Sequence, residues 1–214
     1  GNPIRKEIVP ATALMKAEAY EYYGLDPQKK QLFIVGGSLG SGTLNNAMKK
    51  WITEGCPGGE NMQIIWQCGK YYKPSVDAFM KEAQEKGLGG ECLKYIHHSD
   101  FIKRMDLAYA AADIVISRSG ASSISELCAA HKASIFVPSP NVTEDHQTHN
   151  AMALVRKDAG MIVKDSEAEE KLMKTACGLI ENPERIALME KNIAALAKTE
   201  AAQEIVDEAY KIIG

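Results

Sequence analysis

The 214-residue sequence has little net charge and no long apolar run, and each absence removes a class of protein. A formal net charge of -3 leaves no basic field that could grip a nucleic-acid backbone, so nucleic acid is not an expected partner. No apolar stretch approaches the roughly 18 residues that span a bilayer, and the first residues do not form a signal peptide. We therefore expect a soluble chain, which still allows contact with a membrane surface.

The cysteines and histidines do not form a recognisable metal or disulfide pattern. The five cysteines are scattered, odd in number and never spaced as Cys-x-x-Cys, which favours a reducing compartment such as the cytosol. Two histidine pairs, His97 with His98 and His146 with His149, lack a third ligand at useful spacing. The sequence therefore predicts no bound metal.

The glycine-rich segment 36–42 comes close to two phosphate-binding motifs and matches neither. Thr43 stands where a P-loop requires lysine. A dinucleotide fingerprint starting at Gly40 would need a third glycine at Asn45, and the next strand ends without the acidic residue that holds a ribose. NAD binding is thus disfavoured. Two interpretations stay open: a turn whose amides and Ser38 hydroxyl approach a phosphate, or a tight strand-to-helix turn without a ligand.

Short β-type runs alternate with amphipathic stretches from Gln31 onward, which is typical of βαβ units. We predict one α/β domain spanning 1–214, with an open parallel sheet of about six strands and helices on both faces. The predicted strands are 32–35, 63–67, 93–96, 114–117, 134–137 and 161–163. A capping box at Ser166 and Glu169 predicts a helix toward Glu181, and two further helices are predicted over 184–198 and 200–213.

Two helix-opening turns, at 117–126 and 138–147, are the most informative feature of the chain. Each follows a short apolar run and precedes a helical pattern, so its polar residues should lie where strand ends face helix starts. Free amides and the positive end of a helix dipole attract phosphate there, and a carboxylate one turn into the helix can accept a sugar hydroxyl. We therefore predict a site for a nucleotide diphosphate.

Each turn also has an interpretation that needs no ligand. Ser123 and Glu126 fit the spacing Ser-x-x-Glu, so Glu126 could serve only as a capping-box partner of the backbone. Asp145 is a good helix N-cap, which would make His146 and Gln147 the first helical residues. A histidine on a helix face is usually a surface residue.

Several segments together resemble one family, the MurG family of bacterial N-acetylglucosaminyltransferases. The resemblance runs in order through Gly1-Asn2-Pro3-Ile4-Arg5, Gly36-Gly37-Ser38-Leu39-Gly40, Phe101-Ile102, Ala110-Ala111-Ala112-Asp113, Ser117-Arg118-Ser119-Gly120-Ala121, Ser125-Glu126, Pro138-Ser139-Pro140-Asn141, Asp145-His146-Gln147 and Asn150-Ala151. It implies the C-terminal, Rossmann-like half of a GT-B fold, which binds the donor. Because the chain starts at Gly1 without an initiator methionine, we expect a fragment that lacks the N-terminal acceptor domain.

The resemblance also implies roles for individual residues in binding UDP-N-acetylglucosamine. Ile102 matches the residue whose backbone pairs with uracil, Arg5 one near the base, and Glu126 the carboxylate that takes the ribose hydroxyls. The remaining matches are the diphosphate cradle, formed by Ser38, Ala121, Ser122 and Ser123, and the N-acetylglucosamine contacts, formed by His146, Gln147 and Asn150. Two positions depart from the family: many relatives carry glutamine in place of His146, and some carry a bulkier apolar residue in place of Ser122.

The implied reaction is an inverting displacement in which the muramyl hydroxyl of lipid I attacks the anomeric carbon and UDP leaves, giving lipid II for the peptidoglycan cell wall. No two aspartates are spaced as Asp-x-Asp, so helix N-termini rather than a metal cofactor would stabilise the leaving diphosphate. The resemblance puts the catalytic base, the lipid I site and the membrane contacts in the missing domain. It implies no catalytic residue here, and a cytoplasmic enzyme peripheral to the inner face of the bacterial membrane that supports cell shape and division.

Two alternative functions belong to other classes of protein. One is a donor-binding subunit that works only with a separate membrane partner, as in the two-subunit transferase that extends dolichol-linked N-acetylglucosamine. The other is a UDP-N-acetylglucosamine 2-epimerase, which shares the architecture and the donor. The segments 1–5 and 145–147 favour the transferase.

Overall fold

A computed structural model describes residues 2–140, 145–198 and 211 of the chain. Six parallel strands form one sheet in the order β3-β2-β1-β4-β5-β6. The strands are β1 (Lys30–Val35), β2 (Met62–Gln67), β3 (Ile96–Ser99), β4 (Ile114–Ser117), β5 (Ser134–Phe136) and β6 (Met161–Ile162). The predicted six-stranded α/β architecture is confirmed.

Eight described helices accompany the sheet, and most of them connect successive strands. They are α1 (Ala13–Tyr23), α2 (Gly42–Thr53), α3 (Lys73–Lys86), α4 (Met105–Ala111), α5 (Ala121–Ala129), α6 (His146–Val155), α7 (Ala168–Ile180) and α8 (Pro183–Ala194). Short 3-10 turns cover Gly90–Tyr95 and Asp165–Glu167. None of the helices in the described ranges combines the length and apolarity needed to cross a membrane.

The sheet buries a separate hydrophobic core on each face, because side chains alternate between the faces along each strand. On one face Leu32 and Ile34 pack with residues of α2 and α7. On the other face Phe33 packs with residues of α1, α4 and α5. The inner strands β2, β4 and β5 are buried along their whole length, which explains their mainly apolar sequences, whereas the edge strands β3 and β6 are largely half-buried.

Two predictions about local structure are wrong. The third strand begins at Ile96 instead of Leu93, because Gly89 and Gly90 adopt positive φ angles of 70° and 53° and lead the chain into the Gly90–Tyr95 turn. The helix predicted from Ser166 forms as α7, but its N-cap makes no side-chain hydrogen bond. Glu169 instead accepts a hydrogen bond from Asn46 of α2 at 3.2 Å, so a tertiary contact replaces the capping box.

The last two predicted helices have different outcomes. The first is confirmed as α8, which begins at Pro183 after Asn182 caps it by accepting a hydrogen bond from the Arg185 amide at 2.9 Å. The helix predicted over 200–213 lies outside the described residues, apart from Lys211.

The strands β1 to β3 are added toward one side of the sheet and β4 to β6 toward the other, so the order of the strands reverses between β1 and β4, which are adjacent. The register pairs Val35 with Ser117 on one side and with Gln67 on the other, so these strands end at the same level. Ligands of open α/β sheets bind outside the carboxyl ends of the strands at such a reversal. The turns that follow β1, β2, β3 and β4 therefore meet at one edge, and we call it the carboxyl edge.

Candidate functional site

A cavity of about 250 Å³ opens at the carboxyl edge of the sheet. Its lining residues are Arg5, Val35, Gly37, Ser38, Gln67, Phe101, Ile102, Met105, Tyr109, Ser122, Ser123 and Glu126. Pockets that hold a whole small ligand usually have about 300–1,000 Å³, so this cavity fits part of one, with the rest lying along the edge. Six residues predicted from sequence meet here: Arg5, Ser38, Ile102, Ser122, Ser123 and Glu126.

The Glu126 carboxylate is held in place from two sides. Its Oε1 accepts hydrogen bonds from Arg5 Nε at 3.1 Å and Nη2 at 2.8 Å, and its Oε2 accepts one from the Tyr109 hydroxyl at 3.1 Å. The Glu126 side chain is 13% exposed, whereas that of Arg5 is 43% exposed. Helix α5 has Gly120 as its N-cap and no side-chain capping bond. The capping-box interpretation is therefore wrong, because Arg5 and Tyr109 hold the carboxylate instead.

Tyr109 was not identified from sequence, although it provides the deepest contact of the site. It is 2% exposed and packs edge-on against Phe33 from β1, with ring centroids 5.7 Å apart. Burial, followed by the neighbouring Glu126 carboxylate, raises the pKa of Tyr109 well above its ordinary value of 10.0. The hydroxyl is therefore protonated at neutral pH and donates a hydrogen bond to Glu126.

The start of α5 presents main-chain donors beside this carboxylate. Helix geometry leaves the amides of Ala121, Ser122 and Ser123 without a partner inside the helix, and the helix dipole adds partial positive charge there. Ala121 and Ser122 are exposed. A helix start of this kind can bind an anion.

The glycine-rich turn after β1 forms the facing wall, with Ser38 exposed at the cavity. Gly40 has a φ of 84°, and a Cβ atom added there would lie 2.1 Å from the Cys68 carbonyl oxygen. Only glycine permits this contact with the turn after β2. The turn thus lines the cavity and packs tightly against a neighbouring turn, and a contact between its amides and a phosphate stays a prediction.

Gln67, the last residue of β2, was also not identified from sequence. It is 4% exposed and lines the cavity. Its Oε1 accepts from the Gly36 amide at 3.0 Å, and its Nε2 donates to the carbonyls of Gly37 and Asp100 at 2.8 and 2.9 Å. A polar residue at the carboxyl end of a buried apolar strand is the sequence signal that could have revealed it.

Four predicted residues lie outside the lining of the cavity: Ala121 at the start of α5, and His146, Gln147 and Asn150 on α6. Gln147 Oε1 accepts from the amides of Ser119 and Ser139 at 3.3 and 2.9 Å, and Asn150 Nδ2 donates to the Ser119 carbonyl at 3.2 Å. His146 is exposed at the first helical position. These contacts tie α6 to the turn after β4.

The start of α6 departs from the prediction in one detail. Asp145 occupies the N-cap position, but its φ of 53° is left-handed and its side chain makes no capping bond. The helix nevertheless begins at His146, as predicted.

Arg118, in the turn after β4, joins further elements at the carboxyl edge. Its Nη1 donates to the carbonyls of Val137 and Pro138 at 2.9 and 3.2 Å and to the Asp165 carboxylate. Thr43 at the start of α2 donates to the other Asp165 oxygen at 3.1 Å. This network connects the turns after β4 and β5 with α2 and the turn after β6.

Larger grooves lie elsewhere on the molecule, and two of them have volumes of about 710 and 690 Å³. One is lined mainly by α7 and the start of α8, and the other lies beside Cys56 and Cys92. Among the residues that the structure describes, no group of three or more histidine, cysteine, aspartate or glutamate side chains is placed to hold a metal ion. His98 pairs with Asp77 at 2.8 Å instead. Neither groove is lined by a residue that the sequence predicts to bind a ligand.

The fold and the cavity define a Rossmann-like α/β domain with a candidate nucleotide site at its topological reversal. Residues 31–207 match the family described as glycosyltransferase family 28 C-terminal domain. The chain belongs to this family.

Curated relatives match the whole chain. A protein of Parabacteroides distasonis is 45% identical over 213 residues, covering 100% of this chain and 55% of that protein. One of Bacteroides thetaiotaomicron is 44% identical over 212 residues, covering 99% and 55%. Both are named UDP-N-acetylglucosamine--N-acetylmuramyl-(pentapeptide) pyrophosphoryl-undecaprenol N-acetylglucosamine transferase. This chain therefore spans about half the length of these relatives.

A solved structure supports the fold assignment. The crystal structure of Acinetobacter baumannii MurG superposes with a TM-score of 0.73 at 25% sequence identity, covering 97% of this chain and 55% of that chain. The predicted Rossmann-like half of a GT-B fold is confirmed.

Proposed function

We propose that this chain is the donor-binding domain of an inverting glycosyltransferase, which holds UDP-N-acetylglucosamine while its sugar is transferred to lipid I to give lipid II. One observation carries the proposal: Glu126, Ser38 and the start of α5 converge on one cavity in a chain 45% identical over its whole length to a protein named as that transferase. Such convergence of a carboxylate with main-chain donors suits a ribose next to a diphosphate.

In this proposal Glu126 binds the ribose hydroxyls. A carboxylate has about four acceptor positions, and three are occupied, two by Arg5 and one by Tyr109. One ribose hydroxyl can therefore donate to Glu126 directly, and a second requires Arg5 to give up a bond. Arg5 can do so at little cost because it is largely solvated, and its guanidinium would then lie beside the base.

The diphosphate would lie at the start of α5, opposite Ser38. The amides of Ala121, Ser122 and Ser123 would face the oxygens on which charge develops as UDP leaves. Dipoles that are already oriented stabilise this charge without reorganisation during the reaction, which lowers the free energy of the transition state. The hydroxyl of Ser38 would donate from the facing turn.

The base and the sugar would occupy opposite ends of the site. Uracil would pair with the backbone of Ile102, whose side chain is 5% exposed and helps to line the cavity. N-acetylglucosamine would face α6, where His146, Gln147 and Asn150 lie. Because the side-chain oxygen Oε1 of Gln147 already accepts two hydrogen bonds, we assign its side-chain nitrogen Nε2 to the sugar.

We assign the acceptor side of the reaction to the part of the relatives that this chain does not match. The base that takes the proton of the muramyl hydroxyl, the lipid I site and the membrane contacts would lie there, and the whole enzyme would work at the cytoplasmic face of the membrane. The donor would be bound here, and transfer would require both parts. An N-terminal domain encoded upstream in the same reading frame would support this over a two-subunit transferase.

A calorimetric titration of the chain with UDP, UDP-N-acetylglucosamine, UDP-glucose and NAD tests the proposal. We expect UDP and UDP-N-acetylglucosamine to bind, UDP-glucose to bind more weakly than UDP-N-acetylglucosamine, and NAD not to bind. Tighter binding of NAD than of UDP would overturn the donor assignment. Epimerisation of the donor without transfer by the full-length protein would favour the epimerase alternative.

A further inference from the structure

The amide of Gln67 bonds to two turns at once, just beyond the end of the sheet. The main-chain register of the neighbouring strands ends at Val35 and Gln67 on one side and at Gln67 and Ser99 on the other. One step further, the Gln67 side chain accepts from the Gly36 amide and donates to the Gly37 and Asp100 carbonyls. Its oxygen and both N-H groups therefore have partners, and the side chain is 4% exposed.

The two turns that Gln67 joins continue into residues that line the proposed site. The turn after β1 continues directly from Gly37 into Ser38, and the turn after β3 continues from Asp100 into Phe101 and Ile102. Ser38 is assigned to the diphosphate and Ile102 to the base. One side-chain amide, that of Gln67, thus bonds to both of these turns, next to the main-chain bond from the Cys68 amide to the Ser99 carbonyl at 2.9 Å.

We propose that Gln67 is a positioning residue that sets the distance between the base-binding and the phosphate-binding turns. The inference rests on the proposed function, because it concerns the same nucleotide site. A methionine at this position would fill nearly the same volume but would remove the Gln67 bonds to the Gly36 amide and the Asp100 carbonyl, while the Gly37 carbonyl would keep its bond from the Gly40 amide at 2.9 Å. Buried polar groups without partners draw in water or move apart, so the two turns would lose their fixed spacing.

The chain contains a matched control on the same strand. Gln63 is 1% exposed, and its amide also bonds to the backbone, accepting from the Asp26 amide at 2.9 Å and donating to the Asp26 carbonyl at 2.8 Å. It holds the segment before β1, at the opposite edge of the sheet. Gln63→Met therefore removes bonds of the same kind at a place remote from the cavity.

The test compares UDP binding by calorimetry in the wild-type chain, Gln67→Met and Gln63→Met, together with their thermal stability. We expect Gln67→Met to weaken UDP binding about 10-fold or more, which corresponds to the free energy of one to two net hydrogen bonds. Gln63→Met should change UDP binding less than about 2-fold. Both variants should lose similar thermal stability. Amide hydrogen exchange should accelerate at 36–38 and 100–102 together in Gln67→Met only.

Each other outcome counts against a defined claim. If wild type binds UDP and Gln67→Met binds it equally well, or if both variants weaken binding equally, Gln67 has no positioning role and the proposed function stands. If wild type does not bind UDP, the proposed function fails and this inference fails with it. Should Gln67→Met not fold, the same criteria apply to Gln67→Glu, whose carboxylate can accept from Gly36 but cannot donate to the two carbonyls.

Discussion

Replacing Glu126 with alanine should weaken UDP binding and destabilise the fold for two separable reasons. The lost ribose contacts should reduce binding by roughly 1–3 kcal/mol, which is about 5- to 150-fold in Kd. Within the protein, Arg5 is 43% exposed and returns to water at little cost. Tyr109 is 2% exposed, and its hydroxyl would lose its acceptor, which should cost about 1–3 kcal/mol of unfolding free energy.

A double variant separates the two effects. Tyr109→Phe removes the hydroxyl that Glu126→Ala leaves unpaired, so the pair of substitutions together should recover much of the lost stability. UDP binding should stay weak in the double variant, because the ribose still lacks its carboxylate. Urea denaturation measures the stability and calorimetric titration measures the binding of UDP. Both are carried out on the wild type, the two single variants and the double variant.

A surface ion pair provides the control. Arg185 bonds to Asp158 at 3.0 Å, and the Asp158 side chain is 62% exposed. Arg185→Ala should therefore change stability by less than about 1 kcal/mol and leave UDP binding unchanged. The reasoning is refuted if Glu126→Ala loses stability but binds UDP as tightly as wild type, because the carboxylate would then have only a structural role.

Two further predictions concern the fold around the site. Gly40→Ala should lower the free energy of unfolding, measured in urea, by more than about 3 kcal/mol, because the new Cβ would lie 2.1 Å from the Cys68 carbonyl oxygen. Gly24 also has a positive φ, of 64°, but nothing lies within 4 Å of a Cβ there, so Gly24→Ala should lower it by only about 1–2 kcal/mol. Since the pKa of Tyr109 is raised in the folded state, its contribution to stability is complete below its ordinary value of 10.0 and is lost as the pH rises above it. Wild type should therefore lose more stability than Tyr109→Phe between about pH 9 and about pH 11 in urea titrations, and equal losses would contradict the assignment.

Local sequence was sufficient to predict most elements because apolar alternation and helix-breaking residues act over a few residues. The strand that begins at Ile114 was predicted to its exact bounds, and β1, β2, β5 and β6 to within two residues. Local patterns gave a wrong prediction where a residue distant in sequence took the hydrogen bond that the pattern assigns to a neighbour. Glu169 follows a capping-box pattern, yet it bonds to Asn46 of another helix.

The candidate site was predictable in part for the same reason. The sequence placed Ser38, Ile102 and Glu126 after strands or at helix starts, and parallel strands bring such positions to one edge. It did not indicate that Tyr109, 17 residues before Glu126, would donate to the same carboxylate as Arg5, 121 residues away. Contacts of this kind depend on which helices pack side by side.

An alternating α/β chain, a parallel sheet and polar turns at the strand ends follow from the order of the residues alone. The strand order, the pairing of Glu126 with Arg5 and Tyr109, and the bonds from Gln67 to two turns became visible only in the folded chain. The physical reason is range: periodicity and turn chemistry are set by neighbours along the chain, whereas a buried polar group takes whichever partner the packed helices and strands bring within hydrogen-bond distance.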